Sequence, residues 1–248
     1  MAIIQVRFGT ANLDNVVESW REDYDRRIQR FLIPRLDGGA KADVGKFGPR
    51  RIRLKCQLGD ITFNALRTTF DALLKELNNG KQFLTLYDDR RIECQRNRLR
   101  YSYRVGTPLS VVDFDLDFLA EASFWEKTTL TTVTEVIAAS PTTFPATNNG
   151  SAFTRPKITI TADQGVSVSN IVLDNITNGD KWSYTGTIAV GKALVIDHDA
   201  GTILNDGVDD FAKFNGDLIG FLLEAGANSL KYTGQDCTIK VEFRDRYA

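Results

Sequence analysis

Hydrophobic residues recur at helical spacing in one clear segment, which predicts an α-helix over about residues 62–79. Thr62 or Asp60 can cap its start, and Asn79 followed by Gly80 suits the left-handed residue that ends a helix. The apolar side chains that define the helical face are Leu66, Phe70, Leu73, Leu74 and Leu77.

An earlier segment, residues 17–31, fits two different structures. It runs into Pro34 and then into Asp37-Gly38-Gly39, which suits a strand that ends in a loop. Its apolar residues nevertheless have helical spacing, at Val17, Trp20, Tyr24, Ile28 and Phe31. The pattern alone leaves both alternatives open.

Most of the remaining first half alternates apolar and polar residues, which indicates β-strands with one buried face. Residues 83–87 and 91–95 flank Asp88-Asp89-Arg90, and this arrangement predicts a hairpin. A further alternating segment places Ile52, Leu54 and Cys56 on one face and Arg51, Arg53 and Lys55 on the other.

After residue 156 the chain predicts short strands only. Turn-forming pairs such as Asn178-Gly179, Asp206-Gly207 and Asn215-Gly216 separate them. Such spacing is typical of an antiparallel β-sandwich. The predicted fold class is therefore mainly β: a β-rich α+β N-terminal domain with one clear helix, and a C-terminal antiparallel β-sandwich. The strand segments of the sandwich are residues 157–161, 171–173, 182–189, 193–196, 221–223, 230–232 and 238–243.

Composition and charge also divide the chain. Residues 126–156 are rich in Thr, Ser, Ala and Pro, although residues 131–137 could still form a strand. Lys and Arg outnumber Asp and Glu by 22 to 19 before residue 136, and are outnumbered by 9 to 13 from there on. We therefore predict domains over residues 1–140 and 151–248, with a linker over 141–150.

Two neighbouring segments carry opposite charges in alternation, and they predict a charged hairpin. Folding the chain at Gly106-Thr107 produces a ladder on one face and an apolar strip on the other. A one-residue slip would mix the two faces, so we expect the ladder to fix the register. The predicted pairs are Arg96 with Asp117, Arg98 with Asp115, and Arg100 with Asp113.

The ladder changes the interpretation of a basic stretch. Residues 46–104 hold 14 Lys and Arg against 6 Asp and Glu, a balance that is common in nucleic-acid-binding proteins. The ladder accounts for three of these arginines, which reduces the unpaired excess. We expect the other cations to face solvent or a neighbouring subunit.

Length and composition suit a soluble globular protein: 248 residues, of which 42% are hydrophobic and 25% charged. No apolar run approaches the roughly 20 residues that span a bilayer. The N-terminal sequence MAIIQVRFGT lacks the features of a signal peptide. Three separated cysteines, Cys56, Cys94 and Cys237, support neither a zinc site nor a disulfide framework, so we expect folding in a cytosol.

Candidate catalytic chemistry is sparse. A polar turn accounts for the single histidine of the sequence, His198. Residues 186–193 approach a phosphate-binding loop, but Ala193 replaces the Ser or Thr that would hold magnesium. No specific calcium loop fits Asp206, Asp209 and Asp210. We predict no enzyme, cofactor or metal site, although a carboxylate-only hydrolase is left open.

Short segments across the chain carry a family resemblance. In the first half they are residues 33–39 (IPRLDGG), 48–52 (GPRRI), 86–90 (LYDDR), 114–118 (FDLDF) and 123–125 (SFW). In the second half they are residues 148–150 (NNG), 156–160 (PKITI), 175–179 (NITNG), 184–186 (YTG), 194–197 (LVID) and 226–228 (GAN). In order and spacing, these segments resemble the distal tail proteins of long-tailed, siphovirus-type bacteriophages.

The resemblance implies a ring-forming N-terminal domain and a C-terminal sandwich of galectin-like or jelly-roll-like shape. It implies a homo-hexameric ring at the distal end of the virion tail, assembled in the host bacterial cytoplasm. Such a ring joins the tail tube protein to the tail-tip or hub protein, and DNA passes through it without specific binding. The sandwich would project toward a receptor-binding protein or a host-surface glycan. Neither a catalytic site nor a membrane is implied.

Two other functions fit the sequence. A carbohydrate-binding β-sandwich protein would use Trp182, Tyr184 and Tyr232 as an aromatic platform for sugar rings, although these residues could equally pack in the core and at its edges. A tail-tube protein would instead polymerise into long tubes. Oligomeric state and exposure of the three aromatic rings distinguish these alternatives.

Overall fold

A computed structural model describes residues 6–14, 16–26, 29–31, 40–42, 47–86, 89–106, 109–122, 124–163 and 165–248. The chain divides into two compact units, Met1–Trp125 and Glu126–Ala248. Strands dominate both units, so the predicted mainly β fold class is confirmed. Among the described residues, no helix is long and apolar enough to cross a membrane.

The first unit is an antiparallel sheet with one helix inserted between two of its strands. Sheet order is β2-β1-β7-β8-β9-β6-β3, and β4 pairs separately with β5. The segment with two possible structures is therefore β-strand at both described parts. The bounds are β1 (Arg7–Phe8), β2 (Ala11–Asn12), β3 (Val17–Arg26), β4 (Gln29–Phe31), β5 (Ala40–Ala42), β6 (Phe47–Asp60), α1 (Phe63–Leu77), β7 (Gln82–Leu86), β8 (Arg90–Arg104) and β9 (Ser110–Ala120).

The helix α1 confirms the helical pattern of the sequence. Thr62 is its N-cap, and its Oγ1 accepts a hydrogen bond of 3.2 Å from the backbone N–H of Ala65. Phe70 is buried and packs against Phe114 and Tyr101, with ring centroids 5.1 and 5.2 Å apart. The helix thus covers the apolar face of the sheet and leaves its charged face open.

The hairpin of β8 and β9 forms, but its predicted register is wrong by two residues. Arg98 lies opposite Asp117 and Arg100 opposite Asp115, while Arg96 lies opposite Phe118 beyond a bulge. A two-residue shift keeps every side chain on its face, so alternation cannot distinguish the two registers. The connection between β8 and β9 covers residues 105–109 and is longer than the predicted turn at Gly106-Thr107. Its length sets the register. Thr107, in the predicted turn, lies outside the described residues, as do Tyr87 of the predicted strand 83–87 and Asp88 of the predicted turn after it.

The second unit is an antiparallel β-sandwich. Its six-stranded sheet has the order β11-β21-β13-β16-β17-β18, and its five-stranded sheet has the order β12-β20-β14-β15-β19. A single apolar cluster that includes Leu173, Ile196 and Ile239 forms the core. The bounds are β11 (Thr131–Ile137), β12 (Thr142–Asn148), β13 (Lys157–Thr161), β14 (Val168–Asn175), β15 (Asp180–Ile188), β16 (Ala193–Asp197), β17 (Thr202–Asn205), β18 (Val208–Asp209), β19 (Phe214–Gly216), β20 (Gly226–Thr233), β21 (Cys237–Phe243) and β22 (Arg246–Tyr247), with β10 (Trp125–Lys127) at the boundary and a short 3-10 helix at Phe211–Lys213.

The predicted linker over residues 141–150 is wrong, because most of it is strand β12. Phe144 and Ala146 point into the core, and the whole strand pairs with β20. Pro145 lacks a backbone donor, but β12 is the edge strand of its sheet, where proline is tolerated. The boundary between the compact units follows Trp125, earlier than the predicted residue 140.

A second prediction for this unit also needs correction, since residues 221–223 form no strand. Leu223 makes only an isolated bridge with Thr154, and Phe221 is buried against His198, with ring centroids 4.8 Å apart. The turn that contains His198 is therefore not solvated at this residue. His198 is 0% exposed, and its Nδ1 lies 2.6 Å from the carbonyl oxygen of Leu218.

Burial makes the stability of the sandwich depend on pH through His198. Desolvation lowers the pKa of this imidazole from 6.5 to about 4. In the unfolded chain His198 therefore binds a proton near pH 6.5, whereas in the folded chain it binds this proton only near pH 4. The free energy of unfolding therefore decreases as the pH falls from about 6.5 to about 4. Below pH 4 the ring is protonated in both states, so this group causes no further decrease.

We expect the free energy of unfolding to drop by about 3 kcal/mol from pH 7 to pH 4 through this group, at about 1.4 kcal/mol for each pKa unit. The variant His198→Asn keeps a donor near the Leu218 carbonyl but does not titrate, so its stability should depend less on pH. Urea unfolding of both proteins at several pH values, followed by tryptophan fluorescence, measures the difference. Parallel pH profiles would contradict the prediction.

Candidate functional site

The outward face of strands β6, β8 and β9 carries a groove of about 360 Å³. The strands position its side chains by alternation, because successive residues of a strand point to opposite faces. On the other face, Leu54, Phe114 and Leu116 are buried. We call this outward surface the charged face. The groove is lined by Arg51, Arg53, Leu54, Lys55, Arg98, Arg100, Asp115 and Asp117.

The charged face has an acidic strand between two cationic strands. Asp117 of β9 lies opposite Arg53 of β6 on one side and opposite Arg98 of β8 on the other. One step along, Asp115 lies between Lys55 and Arg100 in the same way. The predicted ladder is therefore two-sided. The alternating cations of β6 were visible in the sequence, but nothing local showed that β6 pairs with β9.

The ionic contacts differ from strand to strand. Arg53 Nε lies 3.6 Å from Asp117 Oδ1. Among the described groove residues, this is the one ion pair with a separation below 4 Å. Arg98 and Arg100 oppose carboxylates in register, but their guanidinium groups form no such contact among the described residues. Arg96, the third predicted cation, donates to the side-chain oxygen of Asn78 instead.

Asp113, the third predicted acid, lies beyond the groove and is held by other partners. Arg104 donates two hydrogen bonds to its carboxylate, at 2.7 and 2.9 Å, and Gln57 donates a third at 2.8 Å. The bonds from Arg104, followed by the bond from Gln57, lower the pKa of Asp113. The predicted pair of Arg100 with Asp113 is thus replaced by Arg104 with Asp113.

The electrostatics of the groove follow from its composition. Five cationic side chains face two carboxylates, which gives a net charge of +3 in a solvent-open channel. Charges on exposed side chains attract mobile anions at a range set by the ionic strength. Such a face can bind an extended anion. Within the described residues, no cluster of three metal-ligating side chains exists.

The aromatic platform of the carbohydrate-binding alternative does not form, because its residues belong to the core of the sandwich. Trp182, Tyr184 and Tyr232 are 1%, 0% and 0% exposed. The Tyr184 hydroxyl donates to Asp210, and the Tyr232 hydroxyl donates to the backbone carbonyl of Gln235. Their faces therefore cannot stack on a ligand. Alternation along β15 and β20 could have placed them inward, since each is flanked by polar residues.

The other sequence motifs are also structural. Residues 186–188, in the first part of the loop-like motif, belong to strand β15. Lys192 forms an ion pair of 3.0 Å with Asp206, one of the acidic residues considered for calcium. Asp210, another of these residues, accepts from Tyr184 and from Lys213. These partners account for the charges without a ligand.

The second unit matches a known family. Residues 149–247 fit the family model of the siphovirus-type tail component, C-terminal domain, of SPP1 Dit type. A comparison with curated proteins finds no significant match.

The fold of the chain is that of a solved phage protein. The crystal structure of SPP1 Dit, a hub adsorption apparatus protein of Gram-positive infecting phages, matches with a TM-score of 0.72 and 16% identity over 100% of both chains. A chain of the phage P2 baseplate in its activated conformation with Ca matches with a TM-score of 0.43 and 9% identity, over 97% of this chain and 98% of that one. The family match and the SPP1 Dit fold confirm the resemblance to distal tail proteins that the sequence segments indicated.

The corrected register of the charged hairpin is testable with engineered disulfides. Arg100→Cys with Asp115→Cys places two thiols on directly opposite residues, where Cα atoms about 5 Å apart suit a disulfide. Arg100→Cys with Asp113→Cys is the matched control, at a diagonal separation of about 7–8 Å. We expect the first pair to oxidise faster, as measured by mass spectrometry of the non-reduced protein. Faster oxidation of the control pair would support the register predicted from sequence.

Proposed function

We propose that this chain is a structural, non-enzymatic protein of the distal end of a siphovirus-type bacteriophage tail, located in the virion and assembled in the host cytoplasm. The observation that carries the proposal is the correspondence with SPP1 Dit along the whole of both chains. The family match of residues 149–247 supports it independently of fold comparison. A connector of this kind requires rigid sheets and no catalytic chemistry.

Within the tail, we propose that six copies of the first unit form a closed ring. The ring joins the tail tube protein to the tail-tip or hub protein and leaves a channel for DNA. A cyclic ring needs two different complementary surfaces on each subunit. The sheet of the first unit offers candidates, since β3 pairs only with β6 among the described strands and so presents an open edge.

The sandwich has a peripheral role in this proposal, as a holder for a receptor-binding protein. Glycan adhesion is the weaker alternative, because the three aromatic residues considered for it are buried in the core. A tail-tube protein is the other alternative, and it differs in the assembly that it forms.

Native mass spectrometry and negative-stain imaging of the purified full chain test the proposal. We expect a species of six chain masses that images as a closed ring. Long tubes would support the tail-tube alternative instead. A strict monomer at the highest soluble concentration would contradict the ring, whether or not the sandwich binds a polysaccharide in a parallel assay.

A further inference from the structure

We propose that the groove of the charged face binds the phosphate backbone of double-stranded DNA without reading its sequence. The inference rests on the proposed function, because a ring around a DNA channel needs a surface that faces this DNA. It deepens that function by assigning the contact to Arg51, Arg53 and Lys55 of β6 and to Arg98 and Arg100 of β8.

Charge is the first argument. The two carboxylates of the groove, Asp115 and Asp117, leave a net charge of +3 from the five cations. The sequence alone favoured mutual neutralisation, but the structure places two cationic strands beside one acidic strand. The cations that line the groove therefore outnumber its carboxylates in the folded chain. A polyanion gains affinity from such a surface by releasing its own counterions.

Spacing is the second argument. Arg51, Arg53 and Lys55 follow one another at two-residue intervals, which is about 6.8 Å along an antiparallel strand. Each strand of B-DNA advances about 3.4 Å along the helix axis per phosphate, so a row of cations at this interval can face several phosphates of the winding backbone. Arg98 and Arg100 repeat the same interval on β8, two strands away and roughly 10 Å across the sheet.

The composition of the groove lining favours DNA over a protein as the partner. Cores of protein interfaces are depleted in charged residues and enriched in aromatic ones. The exposed side chains that line this groove are all charged, since Leu54 is 0% exposed. Contacts to phosphate oxygens come mainly from such Arg and Lys side chains and carry no sequence information.

The two carboxylates of the groove also limit how tightly it binds DNA. Asp115 and Asp117 lie on the central strand, where they repel phosphates while the flanking cations attract them. The groove then holds DNA weakly, which suits a molecule that must slide through. Removal of the two negative charges should tighten binding, and removal of two positive charges should weaken it.

Fluorescence anisotropy of the full chain with a labelled duplex of about 30 base pairs, between about 50 and 200 mM salt, tests the inference. We expect binding at low salt with equal affinity for two unrelated sequences. Arg98→Gln with Arg100→Gln should weaken binding about tenfold or more at the lowest salt, and should reduce the salt slope by about 2 for each contacting subunit. Asp115→Asn with Asp117→Asn should strengthen binding severalfold.

The matched control is Arg67→Gln with Lys75→Gln, which removes the same charge from the exposed side of α1. This helix packs on the opposite face of the sheet, so the control should change affinity little. Circular dichroism of each variant verifies that its fold is intact. The absence of binding by the unaltered chain, or an equal loss in the control, would overturn the inference.

The assembly state of each variant keeps the two proposals apart. A six-membered ring that binds no DNA contradicts the groove assignment and leaves the proposed function standing. A chain that forms no ring contradicts the proposed function itself. Loss of the ring in Arg98→Gln with Arg100→Gln would make the groove a contact between subunits, which also overturns the inference.

Discussion

The acidic strand β9 lies between the cationic strands β6 and β8, and the architecture of the first unit depends on this arrangement. Each Asp of the groove has a cation opposite it on both sides. The same alternation turns Leu54, Phe114 and Leu116 inward, where α1 packs against the sheet. Cross-strand pairs of opposite charge contribute about 0.2–1 kcal/mol each, so their main effect is to exclude a slip that would bury charges.

The sequence predicted the elements of this sheet well, because amphipathic periods are local. The helix, its Thr62 cap and the charged faces of β8 and β9 follow from such periods. The register of β8 and β9 does not follow from these periods, because a shift by two residues preserves both faces. The length of the connection between the two strands sets this register. The third strand of the ladder, β6, pairs with residues of β9 that lie 50 to 70 positions later in the chain, from Asp60 with Ser110 to Arg50 with Ala120. No local pattern identifies it as a partner.

Residue type alone led to wrong expectations at three places in the second unit. The Thr- and Pro-rich segment at 142–148 forms edge strand β12, since threonine favours strands and an edge tolerates Pro145. Trp182 and its neighbouring tyrosines suggested a binding surface, yet large aromatic rings contribute more burial in a core than most residues. His198 was assigned to a polar turn by its sequence context, and it is buried instead.

In the proposed assembly, the charged face lines a channel through a ring of subunits. Cryo-electron microscopy of the assembled full chain tests this claim most directly, because it locates the face relative to the ring axis. We expect a closed six-fold ring in which Arg53, Arg98 and Arg100 point into the central channel. A ring in which these residues are buried between subunits, or lie on its outer surface, would contradict it.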